Sequence, residues 1–79
     1  METEQKIRKV LEEVAGKPIE IDKEQSLFKS GFLDSFVLVD LVGALEQEFR
    51  IKIPDSDLIP WRFDSVARIE RYLAGCAQD

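Results

Sequence analysis

Ser35 is the side chain placed to do chemistry. It follows the turn Gly31-Phe32-Leu33-Asp34 and opens the run Phe36-Val37-Leu38-Val39-Asp40-Leu41-Val42-Gly43-Ala44-Leu45-Glu46-Gln47-Glu48-Phe49, which has helical periodicity. Asp34 and Ser35 are both residue types that favour helix N-termini, where a side-chain oxygen accepts an unpaired backbone N–H. With Asp34 as the cap, the Ser35 hydroxyl is left free at the positive end of the helix. A phosphate joined to it would lie beside unpaired N–H groups and the dipole's favourable end. The plainer alternative is that Ser35 itself caps the helix, a role that contributes about 0.5–2 kcal/mol to stability.

Other chemistries lack their parts. The chain has no histidine, which removes the usual Ser-His-Asp and Cys-His forms of nucleophile activation. It also removes the commonest metal ligand, and the lone Cys76 cannot build a structural zinc site. One cysteine makes no internal disulfide, so a stapled secreted scaffold is not expected. There is no glycine-rich phosphate loop. Carboxylates on the surface of so small a molecule would be solvated. The residues point to a protein that is not an enzyme and holds no metal.

The elements around Ser35 follow from periodicity. At about 100° per residue, Leu38, Leu41, Val42, Leu45 and Phe49 share one stripe, the core face of a helix over 35–49. Phe36, Val39 and Gly43 fall on a neighbouring face with Asp40, Glu46 and Gln47. Apolar surface outside the core stripe marks contact with a partner. An earlier helix is expected over 3–15, with Thr3 as N-cap, a core stripe of Ile7, Val10, Leu11 and Val14, and a stop at Gly16 and Pro18. Residues 17–34 read as a long connection. Ile19 and Ile21 plug the core, Leu27 and Phe28 pin the loop, and Gly31 permits a turn.

After Ile51-Lys52-Ile53-Pro54, a short helix over 55–59 is expected to end at Pro60. Trp61-Arg62-Phe63 reads as a loop with anchoring aromatics. Asp64 or Ser65 caps a last helix over 65–74 with Val66, Ile69 and Leu73 inward, and Gly75 ends it. Tyr72 lies at the edge of that stripe, Arg68 and Arg71 on its solvated face or against a partner, and Cys76 near its apolar side. Residues 77–79 read as a frayed tail. Glu46 and Arg50 form an i, i+4 pair. The fold expected is all-α: a small four-helix bundle, three longer helices and one short, with a long first loop. Its 79 residues make a single domain, 1–79.

The net charge is −5. Asp34, Asp40, Glu46, Glu48, Asp55 and Asp57 outweigh Arg50 and Lys52 in the middle of the chain. Such a patch expects partners with basic docking surfaces, bound in a salt-sensitive way, and argues against nucleic acid. No apolar run is long enough to span a membrane, and the start lacks the blocks of a signal peptide. A cytoplasmic monomer is the expectation, and Met1 with a complete helix set favours a separate chain.

Leu27-Phe28-Lys29-Ser30-Gly31-Phe32-Leu33-Asp34-Ser35-Phe36, then Leu41-Val42-Gly43-Ala44-Leu45-Glu46-Gln47-Glu48-Phe49 and Ile51-Lys52-Ile53-Pro54, resembles the acyl carrier proteins. The likeness covers nearly the whole chain. Gly-x-x-Asp-Ser alone is a weak motif; joined to Leu-Glu-x-Glu-Phe-x-Ile-x-Ile-Pro at this spacing it is specific. The resemblance implies that Ser35 carries a 4'-phosphopantetheine arm, transferred from coenzyme A by a phosphopantetheinyl transferase. Asp34 flanks it as loop cap and as part of what the transferase recognises. It implies that the arm's thiol, not Cys76, carries acyl or aminoacyl groups as thioesters to ligases or synthases. It implies a partner face along Phe36, Val39, Asp40, Gly43, Glu46 and Gln47, and a pocket for acyl chains near Leu45, Ile53, Leu58 and Ile59. Core packing alone also accounts for Leu45 and Ile53. Phe36 stands where leucine is common, and Val37 and Gln47 where acids are. That apolar bias is similar to freestanding carriers with a dedicated ligase, the D-alanyl carriers among them. The competing reading is an unmodified helical adaptor that docks a partner through Phe36, Val39 and Gly43.

Overall fold

The first helix, α1 (Glu2–Ala15), buries Ile7, Val10 and Leu11 and packs Val14 at the edge of the core. That is the i, i+3, i+4, i+7 stripe of an amphipathic helix. It begins at Glu2, so Thr3 lies inside the first turn and is not its cap. Beyond its end Gly16 turns left-handed at φ 73°, and the Gly16 N–H donates to the Glu12 carbonyl at 2.8 Å. The Glu12 carboxylate then accepts the Ile19 N–H at 3.0 Å, and Ile19 enters the core. The computed structural model describes residues 2–76, leaving out the side chains of Glu2 and Cys76. The packing expected of Cys76 and the frayed tail lie outside the described residues.

The second helix, α2, has the expected bounds, Ser35–Phe49, and buries Leu38, Leu41, Val42 and Leu45. Phe49 is half-buried against the core. α2 ends as α1 does. Arg50 is left-handed at φ 55°, and the N–H groups of Arg50 and Ile51 both reach the Glu46 carbonyl. The Glu46 carboxylate accepts the Ile53 N–H at 2.8 Å, and Ile53 is buried. Glu46 therefore serves its own chain turn, and no ion pair with Arg50 forms among the described residues.

In place of one short helix over 55–59 there are two single 3-10 turns, Asp55–Asp57 and Pro60–Phe63. Pro60 starts the second turn instead of stopping the first. Its missing N–H has no intrahelical partner at that position anyway. The expected loop Trp61-Arg62-Phe63 is that second turn. Phe63 is fully buried and meets Tyr72 edge-on, with centroids 5.3 Å apart. The last helix, α3 (Val66–Cys76), runs on through Gly75, which was expected to end it. Ser65 is its cap, its hydroxyl accepting the Arg68 N–H at 3.1 Å. α1 packs against both α2 and α3, and the Pro60–Phe63 turn fills the space between α2 and α3. The described residues are all-helical, with no strand, and none of the helices is long and apolar enough to cross a membrane.

The long connection is tied at several points. Arg8 donates to the Ile21 carbonyl at 2.9 Å, and the Lys23 carbonyl accepts the Ala67 N–H at 2.9 Å. The Lys23 ammonium lies 3.0 Å from Glu70 and 3.7 Å from Glu4, linking α3 to α1. The hydrogen bond from Arg8 holds the Glu4 carboxyl below its ordinary range, and the one to Glu70 holds Lys23 above its own. Asp64, which the sequence offers as a helix cap, turns to the loop instead. Its carboxylate accepts the Ser26 hydroxyl at 2.8 Å and the Phe28 N–H at 3.2 Å, and its carbonyl accepts the Leu27 N–H. Leu27, Phe32 and Leu33 fall into the core. Gly31, at φ 82°, makes the turn between them.

Candidate functional site

Burying Phe32 and Leu33 leaves the next two residues, Asp34 and Ser35, at the surface where α2 begins. Asp34 is extended, at φ −137° and ψ −176°, and its carboxylate accepts the Val37 N–H at 2.9 Å. Its carbonyl accepts the Leu38 N–H at 2.8 Å. Asp34 is thus the cap, by side chain and main chain together. Ser35 stands at the first helical position. Its hydroxyl is exposed and makes no hydrogen bond among the described residues. The N–H groups of Ser35 and Phe36 are also without protein partners there. A free hydroxyl beside two unpaired donors, with no acid in the helix's first turn, suits a residue that is to become a phosphodiester. Asp34 is the acid next to Ser35 in sequence, and its carboxylate is already engaged as the cap.

The strip beside Ser35 faces outward. Phe36 is 85% exposed and Val39 is 64% exposed. Asp40, Gly43 and Gln47 are exposed on the same side. Glu46, expected there as well, is only partly exposed, and its carboxylate is occupied by Ile53. Five of the six strip residues are therefore exposed and make no side-chain hydrogen bond or ion pair among the described residues. The residues expected to line a cargo pocket divide: Leu45 and Ile53 are core, Leu58 is half-buried, and Ile59 is 41% exposed. Among the described residues no group of three or more acids and cysteines is disposed to hold a metal ion.

The functional contribution of Asp64 escaped sequence reasoning. It fixes the loop that delivers Ser35, but Asp-Ser before a helix signals only a cap.

The family model described as the phosphopantetheine attachment site matches residues 5–73. The D-alanyl carrier protein of Lactobacillus helveticus is 26% identical over 74 residues, covering 89% of this chain and 94% of the relative. The D-alanyl carrier protein of Lactobacillus acidophilus matches over the same extents. The meromycolate extension acyl carrier protein of Mycobacterium tuberculosis is 37% identical over 68 residues, covering 82% of this chain and 59% of the relative.

Proposed function

The chain belongs to the phosphopantetheine-attachment family of carrier proteins, and from that premise we propose that Ser35 is the residue that takes the arm. The protein is a non-catalytic carrier of acyl or aminoacyl groups, and its prosthetic group is 4'-phosphopantetheine. When bound, that group supplies a thiol on which cargo is held as a thioester. The observation that carries the assignment is the division of labour at the start of α2: Asp34 caps, so the Ser35 hydroxyl is exposed and uncommitted. In the transfer the Ser35 oxygen would form a bond to the pantetheine-side phosphorus of coenzyme A as the pyrophosphate bond there breaks, the 3',5'-bisphosphate nucleotide leaving and the hydroxyl proton passing to the transferase's base. The N–H groups of Ser35 and Phe36 would be available to the charge of the phosphodiester.

Partners are a phosphopantetheinyl transferase and enzymes that handle acyl groups. We assign their docking to the strip of Phe36, Val39, Asp40, Gly43 and Gln47, met by basic surfaces. Glu46 sits at its edge with a structural task of its own. Tethering cargo at one end of this strip makes each encounter effectively intramolecular, with a local concentration set by reach. The apolar bias of Phe36 and Val37 beside the serine, together with the likeness to D-alanyl carrier proteins, favours a specialised carrier with a dedicated ligase over a general one. We read the chain as one domain, monomeric and cytoplasmic. Counted as one short segment, the paired 3-10 turns give the bundle its fourth member.

The test is intact mass after incubation with coenzyme A, magnesium and a permissive transferase. One phosphopantetheine is gained by the native chain and none by Ser35→Ala, whose melting temperature stays within about 2 °C because Ser35 caps nothing. A folded native chain that gains no mass overturns the assignment and favours the unmodified adaptor.

A further inference from the structure

A cleft between the Pro60–Phe63 turn and α3 is lined by Trp61, Arg62, Arg68, Arg71 and Tyr72. It gathers three guanidiniums in a chain whose net charge is −5. The acids nearest in sequence point elsewhere: Asp64 binds Ser26 and Phe28, and Glu70 pairs with Lys23. Asp57 approaches Arg62 at 3.5 Å while accepting the Tyr72 hydroxyl at 2.7 Å. The Arg62 Nε is buried with no acceptor. Arg68 and Arg71 form no ion pair among the described residues. The Arg68 guanidinium lies 4.7 Å from the centroid of the Trp61 ring. That tryptophan is 63% exposed.

These are the residue types that dominate binding at protein interfaces. Planar guanidiniums pair with carboxylates through two parallel hydrogen bonds, and the open indole offers apolar area beside them. The complement of such a cleft is a chain segment with carboxylates flanking an apolar side chain. We infer that the cleft is a second docking site, for an acidic, leucine- or phenylalanine-bearing segment of a partner protein. It is opposite in sign to the strip along α2 and built on different elements. This goes beyond the carrier role and does not rest on Ser35.

Trp61 is the chain's single tryptophan, so its emission reports on the cleft directly. The full chain is titrated at low salt with a glutamate-rich peptide carrying two leucines. The controls are a lysine-rich peptide with the same leucines and sodium glutamate at matched ionic strength. The expected result is a saturable shift in Trp61 emission with the acidic peptide alone. Affinity falls at least about tenfold in Arg68→Glu and falls in the same direction in the milder Arg71→Gln, with folding checked by circular dichroism. Ser35→Ala binds as the native chain does, which separates this result from the fate of the attachment site. The inference is overturned by no saturable response, by an equal response to the basic peptide, or by a response to glutamate salt alone. It is also overturned if sedimentation shows that a second copy of the chain fills the cleft.

Discussion

Asp34 and Ser35 are neighbours with separate tasks, and Gly43 extends the same logic two turns along. A methyl group at Gly43 would meet nothing within 4 Å, so no internal contact demands glycine there. Glycine in a helix interior costs about 0.8–1.0 kcal/mol relative to alanine. Gly43→Ala is therefore expected to stabilise the fold by about 1 kcal/mol in denaturant titration. Because Gly43 lies on the strip assigned to partners, the same change is expected to slow cargo loading by a cognate ligase. Loading at the native rate would remove Gly43 from the docking face. The capping chemistry of Asp34 was legible in the sequence because it acts over three residues. The duty of Glu46 was not. Its carboxylate reaches an N–H seven residues on, past a reversal of the chain, where helical spacing gives no guidance.

The two long helices before the 3-10 turns end by one device. Glu12, Gly16 and Ile19 in the first are matched by Glu46, Arg50 and Ile53 in the second: a carboxylate, a left-handed residue four on, and a buried isoleucine seven on. In each, the bond to the isoleucine N–H turns the chain back into the core. Arginine is a poor occupant of that middle place, since a left-handed residue with a Cβ is strained by about 1–2 kcal/mol. Allowing for the greater freedom of glycine in the unfolded chain, Arg50→Gly is expected to stabilise by roughly 0.5–1 kcal/mol. Thermal melts check this; a lower melting temperature would mean that the Arg50 side chain does more than the turn requires. The bounds of α2 were readable from its stripe and cap. The Pro60–Phe63 turn was not, because proline ends one helical segment and begins another with equal ease. Gly75 failed as a stop for a similar reason: glycine permits termination without imposing it.

Across the whole molecule, Asp64 joins the long connection to the start of α3. It holds Ser26 and Phe28, residues 38 and 36 positions away in sequence. Asp64→Ala strands those donors and is expected to cost about 2 kcal/mol, and Asp64→Asn, which keeps an acceptor oxygen, less. Hydrogen exchange should rise first over residues 26–33, ahead of α2, and modification at Ser35 should slow as the loop loosens. Uniform exchange across the chain would show that the loop and bundle open together. None of this pinning was visible in a sequence where Asp64 and Ser65 compete for the same cap. The all-helical class was, since it needs only the stripes.

One consequence of the uncommitted Ser35 hydroxyl concerns turnover. A group that lends nothing to folding takes nothing away when it is esterified. With the added charge beside the unpaired N–H groups that open α2, the armed form should resist proteases at least as well as the bare one, so neither priming nor its reversal would expose the chain.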